Sequence, residues 1–323
     1  MKRRDLLLLG SAAATGLFAP RAIAQEQPRI VILHSGFPNK TPIHLLFEAL
    51  TALGYEKGRT AAIDLYGAEG DSGRLSALAG QLAAEKPDVI IGLTTPAVIA
   101  LKRAGVTAPV VFAFVSDPVG QGIVASLARP GANFTGVTFS NAVLGGKRLE
   151  YLIDALPGTK RVAVLWSRQF PENVPITENI ARAASTLGIE IISRELRNAE
   201  DLASGFEDAA RAGAQGVIFL SDNTLLPHGK EIAEMAIARR LPTIHNFPFE
   251  VTAGGLMSFG ADLGESYRRV AALTGRIVKG AKPADLPVEE PTKFNFSVNL
   301  KTAAALGIVL PESLLLQADE VIQ

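Results

Sequence analysis

Short apolar runs of four to eight residues alternate along this chain with longer stretches of helical period, the pattern of buried parallel strands joined by helical crossovers. One such series occurs twice, about 130 residues apart, with the same punctuation. In the first copy Leu53-Gly54 leads to the run Asp88 to Leu93, a polar stop at Thr94-Thr95-Pro96, a helix, and a restart at Pro109 with Val110, Val111 and Phe112. In the second, Leu187-Gly188 leads to Val217 to Leu220, a stop at Ser221-Asp222-Asn223-Thr224, a helix, and Pro242-Thr243-Ile244. Each copy reads as a doubly wound unit, so the pattern predicts an α/β protein of two Rossmann-like parallel-sheet lobes joined by a multi-crossing hinge.

The periodicity predicts strands at Arg29 to Leu33, Ala61 to Tyr66, Asp88 to Leu93, Val110 to Val115 and Phe134 to Phe139 in the first lobe. Helices are expected from a Thr41 cap to Leu53, from Asp71 or Ser72 to Glu85, over Ala97 to Ala104, and over Gly122 to Ala128. A hinge follows Phe139. Helix Leu144 to Leu156 leads into strands Arg161 to Trp166 and Ile189 to Arg194, with helices Thr177 to Leu187 and Ala199 to Ala212. After Gly254-Gly255 the strand Leu256 to Phe259 and the helix Leu263 to Lys279 read as a return to the first lobe. Pro283, Pro287 and Pro291 mark an extended segment before the strand Lys293 to Val298 and the helices Leu300 to Leu306 and Pro311 to Val321. The expected domains are therefore 25–140 with about 252–285 as lobe 1, 141–251 as lobe 2, and 286–323 as a hinge strand with helices assigned to neither lobe.

The first 24 residues read as an export signal: Lys2, Arg3 and Arg4, then the short apolar stretch Leu6 to Phe18, then Ala22-Ile23-Ala24 as a cleavage site. That stretch is too short to span a bilayer, which needs roughly twenty residues. Arg3-Arg4 fits a twin-arginine signal, and an ordinary secretory signal begins with basic residues too, so the route stays open. The expected compartment is periplasmic. Residues 1–24 hold four basic side chains and one acid out of totals of 32 each, so the mature chain has 28 basic and 31 acidic residues. That balance offers no basic face for nucleic acid. The absence of cysteine excludes a disulfide framework, a thiolate metal site, a cysteine nucleophile and a lipid-modified amino-terminal cysteine.

In open parallel sheets, ligands collect at the carboxyl ends of the strands. Polar residues stand there at His34-Ser35-Gly36, Thr94-Thr95, Ser116-Asp117, Ser140-Asn141, Ser167, Ser221 to Thr224 and His245-Asn246. Thr94 and Thr95 precede a helix whose free amides suit a carboxylate, or they are an ordinary cap. Asp222 is a plain cap or, from the facing lobe, the partner of an ammonium; with Asn223 it is our candidate for that role. Ser35, Ser116, Asp117 and Asn246 are candidate secondary contacts, with Asp117 before Pro118 equally suited to a turn. Phe37, Trp166, Phe170, Phe247 and Phe249 are available as an apolar wall.

Cofactor and catalytic motifs are not met. Gly67, Gly70 and Gly73 are spaced three and three, unlike the G-x-G-x-x-G fingerprint. Gly145-Gly146-Lys147 lacks the upstream glycine of a phosphate loop, and no Gly-x-Ser-x-Gly elbow is present. His34, His44, His228 and His245 show no metal spacing and read as satisfied surface residues, and Tyr267-Arg268-Arg269 reads as a solvated helix face. No cofactor, no metal and no enzyme activity are expected.

Phe112 to Gly122 (FAFVSDPVGQG), Ala125 to Gly131 (ASLARPG), Gly254 to Gly260 (GGLMSFG), Lys279 to Pro287 (KGAKPADLP) and Pro291 to Leu306 (PTKFNFSVNLKTAAAL) resemble the substrate-binding proteins of ABC transporters associated with tryptophan and other amino acids. The resemblance covers essentially the whole mature chain, with Leu314-Leu315-Leu316 departing from the family's Leu-Leu-Ala-like stretch. It implies a periplasmic binding protein of type I with three hinge crossings, a monomer that encloses an aromatic or branched amino acid and delivers it to a membrane permease. A sensor that passes the ligand signal to a membrane partner would share the cleft. A cofactor-dependent enzyme on the same frame would need the phosphate-cradling loop that the glycine spacing does not supply.

Overall fold

A computed structural model describes residues 27–139, 143–167, 170, 173–220, 222 and 224–323. The export signal expected at 1–24 and the positions Ser140, Asn141, Ser221 and Asn223 lie outside the described residues. Continuous apolar runs become strands covered on both faces: β1 (Arg29–His34), β3 (Val89–Leu93) and β4 (Val110–Val115) are almost wholly buried. With β2 (Ala62–Gly67) and β5 (Phe134–Thr138) they form a parallel sheet of order β2-β1-β3-β4-β5.

The second sheet repeats this order. Strands β6 (Arg161–Trp166), β7 (Glu190–Glu195), β8 (Gly216–Leu220), β9 (Thr243–His245) and β10 (Met257–Ala261) run β7-β6-β8-β9-β10, all parallel. Two more strands extend it, β11 (Phe294–Asn299), antiparallel to β10, and β12 (Glu320–Ile322). The duplication in the sequence is thus a duplication of topology, with β10 in the place that β5 holds in the first copy.

Four elements depart from the sequence expectation. The strand around Leu256 to Phe259, expected in the first lobe, is β10 of the second sheet, where Met257 packs with Ile244 and Val298. No helix forms over Gly122 to Ala128: Gly122 has φ +65, and both Ile123 and Val124 donate to the Pro118 carbonyl, closing a turn. The final helix is cut to α11 (Glu312–Leu315), because Asp319 accepts the Phe296 amide and starts β12 beside β11. Thr41 caps no helix; its hydroxyl donates to the Pro38 carbonyl, and α1 (His44–Ala52) begins three residues later.

Helix α9 (Leu263–Val278) does return to the first lobe. Asp262 caps it through the Glu265 amide at 2.7 Å, and Leu263, Tyr267, Val270, Ala271 and Ile277 form one apolar stripe packed with Ile30, Ile32, Leu46 and Leu50. Residues 286–289 then lie along β5: Thr135 donates its hydroxyl to the Leu286 carbonyl, and Thr138 donates its amide to that of Glu289. The chain therefore passes between sheets after β5, after β10 and again before β11. Arg269 ties the last two passages together, donating to Glu265 at 2.8 Å, Glu289 at 3.1 Å and Thr292 at 2.8 Å. Parallel connectors of this kind guide closure and resist shear.

Candidate ligand-binding site

In the strand order 2-1-3-4-5 the switch point lies between the first and third strands, where helices leave on opposite faces and a crevice opens. Both lobes place polar residues there. In the first, His34 ends β1, Ser35 follows it and Thr94 follows β3; in the second, Ser167 follows β6 and Asp222 follows β8. Residues of both crevices, His34 and Thr94 in the first and Asp222 in the second, line one shared cavity.

Thr94 is the strained member. Its φ of 85° and ψ of 151° fall in a region that is nearly glycine-only, at the sharp turn from β3 into α3 (Thr95–Arg103). Its amide donates to Ala113 at 2.9 Å, and its hydroxyl does not cap the helix but meets Ser35 Oγ at 2.7 Å. Of the two roles the sequence allowed for its side chain, the cap is therefore vacant. Asp222 takes the cap role with one oxygen only. Oδ1 accepts from the Thr224 amide at 2.7 Å, the Thr224 hydroxyl at 2.7 Å and the Leu225 amide at 2.8 Å. Oδ2 is buried with no hydrogen-bond partner among the described residues. Asn246, after β9, likewise lines the cavity with a buried, unpartnered Oδ1.

His34 is a lining residue that sequence reasoning set aside as a satisfied surface histidine; it is 4% exposed. Burial lowers its pKa to about 4, and Nδ1 accepts the Gly36 amide at 2.9 Å. The ring is therefore neutral, with its proton on Nε2. His245 is buried as well, against Thr243 and Glu250.

The walls are aromatic. Phe114 lines the cavity because β4 carries a bulge there: Ala113 pairs with Val137 and Val115 with Thr138, which leaves Phe114 as the extra residue at φ +60. Its ring meets Tyr267 edge-on at 5.3 Å and Phe139 at 5.6 Å. Phe139 in turn stacks on Phe247 at 5.5 Å, and Phe247 on Phe249 at 5.1 Å, so the rings continue from one lobe into the other. Phe170, Phe247 and Phe249 line the cavity, whereas Phe37 and Trp166 do not; Trp166 sits in the second core and donates to Ser193. Tyr267, read from the sequence as part of a solvated face, is 2% exposed, and burial raises its phenol well above the ordinary value.

The other candidates stand apart from this cavity. Ser35 lines an adjoining outer chamber with Gly70, Asp71 and Thr224, and Phe170 and Asp222 border both spaces. Thr95 is buried facing a groove between α3 and α2 (Ser72–Glu85). Asp117 is exposed and closes a turn by accepting the Gly120 amide at 2.7 Å, which is the turn role the sequence offered. Ser116 is half-buried beside it and lines neither chamber, although its Oγ has no partner among the described residues. Among the described residues no cluster of His, Asp and Glu is arranged to hold a metal, and no helix is long and apolar enough to cross a membrane.

Two facing crevices with polar rims and an aromatic interior are the architecture of a solute receptor. Residues 38–322 match the model of one family, ABC transporter substrate binding protein. The chain belongs to that family. Its members are solute-binding proteins and not enzymes, and the two-sheet α/β architecture is the type I periplasmic binding protein fold of related ABC solute-binding structures. A conserved domain protein from Vibrio cholerae O1 biovar El Tor superposes with a TM-score of 0.84 at 26% identity, over 92% of this chain and all of that one. The ABC domain from Streptococcus pneumoniae in complex with L-Trp superposes with a TM-score of 0.83, also at 26% identity, over 92% of this chain and all of that one. A tyrosine-binding protein from Clostridioides difficile is 23% identical over 262 residues, 81% of this chain and 75% of that protein.

Proposed function

We propose that this protein is an extracytoplasmic, monomeric receptor that captures an amino acid, aromatic or branched, between its lobes and delivers it to the permease of an ABC transporter. One observation carries the reading: a buried carboxylate oxygen of Asp222, free of any described partner, borders a cavity walled by Phe114, Phe139, Phe247, Phe249 and Tyr267. An ammonium satisfies that oxygen by a charge-assisted hydrogen bond, and a side chain of matching character fills the aromatic interior. The Ser35–Thr94 hydroxyl pair and the start of α3 receive the carboxylate, with Asn246 and the neutral His34 as further polar contacts. The L-Trp and tyrosine-binding relatives support an aromatic side chain over a branched one.

Because Thr94 and Asp222 belong to opposite lobes, a ligand that touches both stabilises the closed arrangement only through contacts the open one lacks. A permease then reads the closed form. The test is a thermal-shift series on the mature chain with the twenty amino acids, sugars and nucleosides. At a hundred times its dissociation constant a ligand adds about 2.7 kcal/mol of stability, so an aromatic amino acid should raise Tm by about 5–10 °C. A panel in which sugars or nucleosides shift Tm and no amino acid does would overturn the reading.

A further inference from the structure

The loop after β2 in the first lobe and the segment after β8 in the second meet at Gly70 and Thr224. Gly70, at φ +82, leaves no room for a side chain, because an added Cβ would stand 3.1 Å from Thr224 Cγ2. Both residues border the outer chamber together with Ser35 and Asp222, so their meeting point is part of the cleft wall.

Each partner is one hydrogen bond away from a candidate ligand group. In the first lobe the Gly70 amide donates to the Ser35 carbonyl at 2.9 Å and the Glu69 amide to the Gly36 carbonyl at 3.0 Å, which pins the loop to the end of β1, and the Ser35 hydroxyl meets Thr94. In the second lobe the Thr224 hydroxyl donates at 2.7 Å to Asp222 Oδ1, on the carboxylate whose Oδ2 has no partner among the described residues. Thr224 carries its hydroxyl and its methyl on one β-carbon, and such branched side chains are stiff about χ1. Anchoring the hydroxyl on Asp222 therefore fixes the methyl toward Gly70, and a glycine opposite is what lets the methyl approach.

We propose that Thr224 is a positioning residue with two tasks: its hydroxyl holds Asp222 in place for the ligand, and its methyl is the stop against which Gly70 comes to rest when the lobes close. This rests on the amino-acid reading above. Gly70→Asn tests the stop, because Asn tolerates a positive φ better than most residues and sets a Cβ against the methyl. Backbone strain at position 70 acts on open and closed forms alike and cancels from the dissociation constant, whereas the clash acts on the closed form alone. The experiment is isothermal titration of the mature chain with L-tyrosine, L-phenylalanine, L-tryptophan, L-leucine, L-isoleucine and L-valine, then of the variants with the tightest binder X. Gly70→Asn is expected to weaken X at least about tenfold. Adding Thr224→Ser, which keeps the hydroxyl and removes the methyl, should recover at least about fivefold, and adding Thr224→Val, which keeps a methyl in that place, should recover none. By itself Thr224→Ser should bind X within about threefold of the unmutated chain, and Thr224→Val at least about threefold more weakly. In urea unfolding of the ligand-free chain the effects of Gly70→Asn and Thr224→Ser should simply add, since a contact made only on closure does not couple them there. Affinity for X undiminished by Gly70→Asn or by Thr224→Val, no recovery with Thr224→Ser, or the same recovery in the stability of the ligand-free chain overturns this inference and leaves the parent reading intact. Failure of the unmutated chain to bind any of these amino acids overturns both.

Discussion

Replacing Asp222 by Asn tests the site at its most informative atom. The substitution is nearly isosteric, and an Asn Oδ1 can keep the three bonds that Asp222 Oδ1 accepts from Thr224 and Leu225. What changes is Oδ2, which becomes an amide NH₂. Toward a ligand ammonium this replaces an acceptor by a donor. Losing one partner of a buried charge pair costs about 2–5 kcal/mol, so the dissociation constant should rise by roughly 30-fold to several thousandfold. The ligand-free protein should respond in the opposite sense. A buried, unpartnered carboxylate oxygen costs about 1–3 kcal/mol or more in the free protein, and an amide is cheaper to bury, so the variant should be at least as stable in urea. Titration calorimetry and urea unfolding of the ligand-free chain read the two signs separately. Affinity within about threefold of wild type would refute the ligand role. A loss of more than about 1 kcal/mol in the free protein would show that Oδ2 is structural after all.

Three further perturbations follow from the same geometry. The pKa of His34, held near 4 by burial, lies below its unfolded value, so the unfolded chain takes up the proton first. Stability should fall as pH drops from about 6.5 to 4, by about 3 kcal/mol in total, and His34→Asn, whose Oδ1 can still accept the Gly36 amide, should lack that share of the loss in urea titrations run at both pH values. Thr94→Gly and Thr94→Ala both remove the hydroxyl that meets Ser35, but only glycine relieves the backbone at φ 85°, so the glycine variant should be the more stable by about 1 kcal/mol or more while both bind ligand more weakly. Equal stability of the two would contradict the strain. At Gly260, an added Cβ would lie 2.1 Å from the Asn246 carbonyl oxygen, so Gly260→Ala should destabilise the protein by about 1–3 kcal/mol and weaken binding by displacing Asn246; unchanged unfolding and binding curves would disprove that packing constraint.

The sequence by itself determined the class of this protein. Apolar runs such as Val89–Leu93 and Gly216–Leu220 cannot be solvated, so they had to become buried parallel strands, and their repetition specified two lobes with polar tips at Thr94 and Asp222. The repeat also contained a signal left unused: Phe134–Thr138 closes the first copy, and Met257–Ala261 occupies the same place in the second, which puts that strand in the second sheet. Local pattern decides burial, but it does not decide between two equivalent surfaces, and only packing against Ile244 and Val298 settled the lobe. The same limit applies to the site. Strand-end position named Thr94, Asp222 and Asn246, which line the cavity, and Ser35, which lines the adjoining chamber; it also proposed Asp117, which a turn consumes. Phe114, Tyr267 and the neutral His34 were not legible. A bulge re-aims Phe114, a distant helix brings Tyr267 to its ring, and burial removes the charge of His34. Each of these depends on which other segment lies alongside, which is a property of the assembled sheets and absent from any window of the chain.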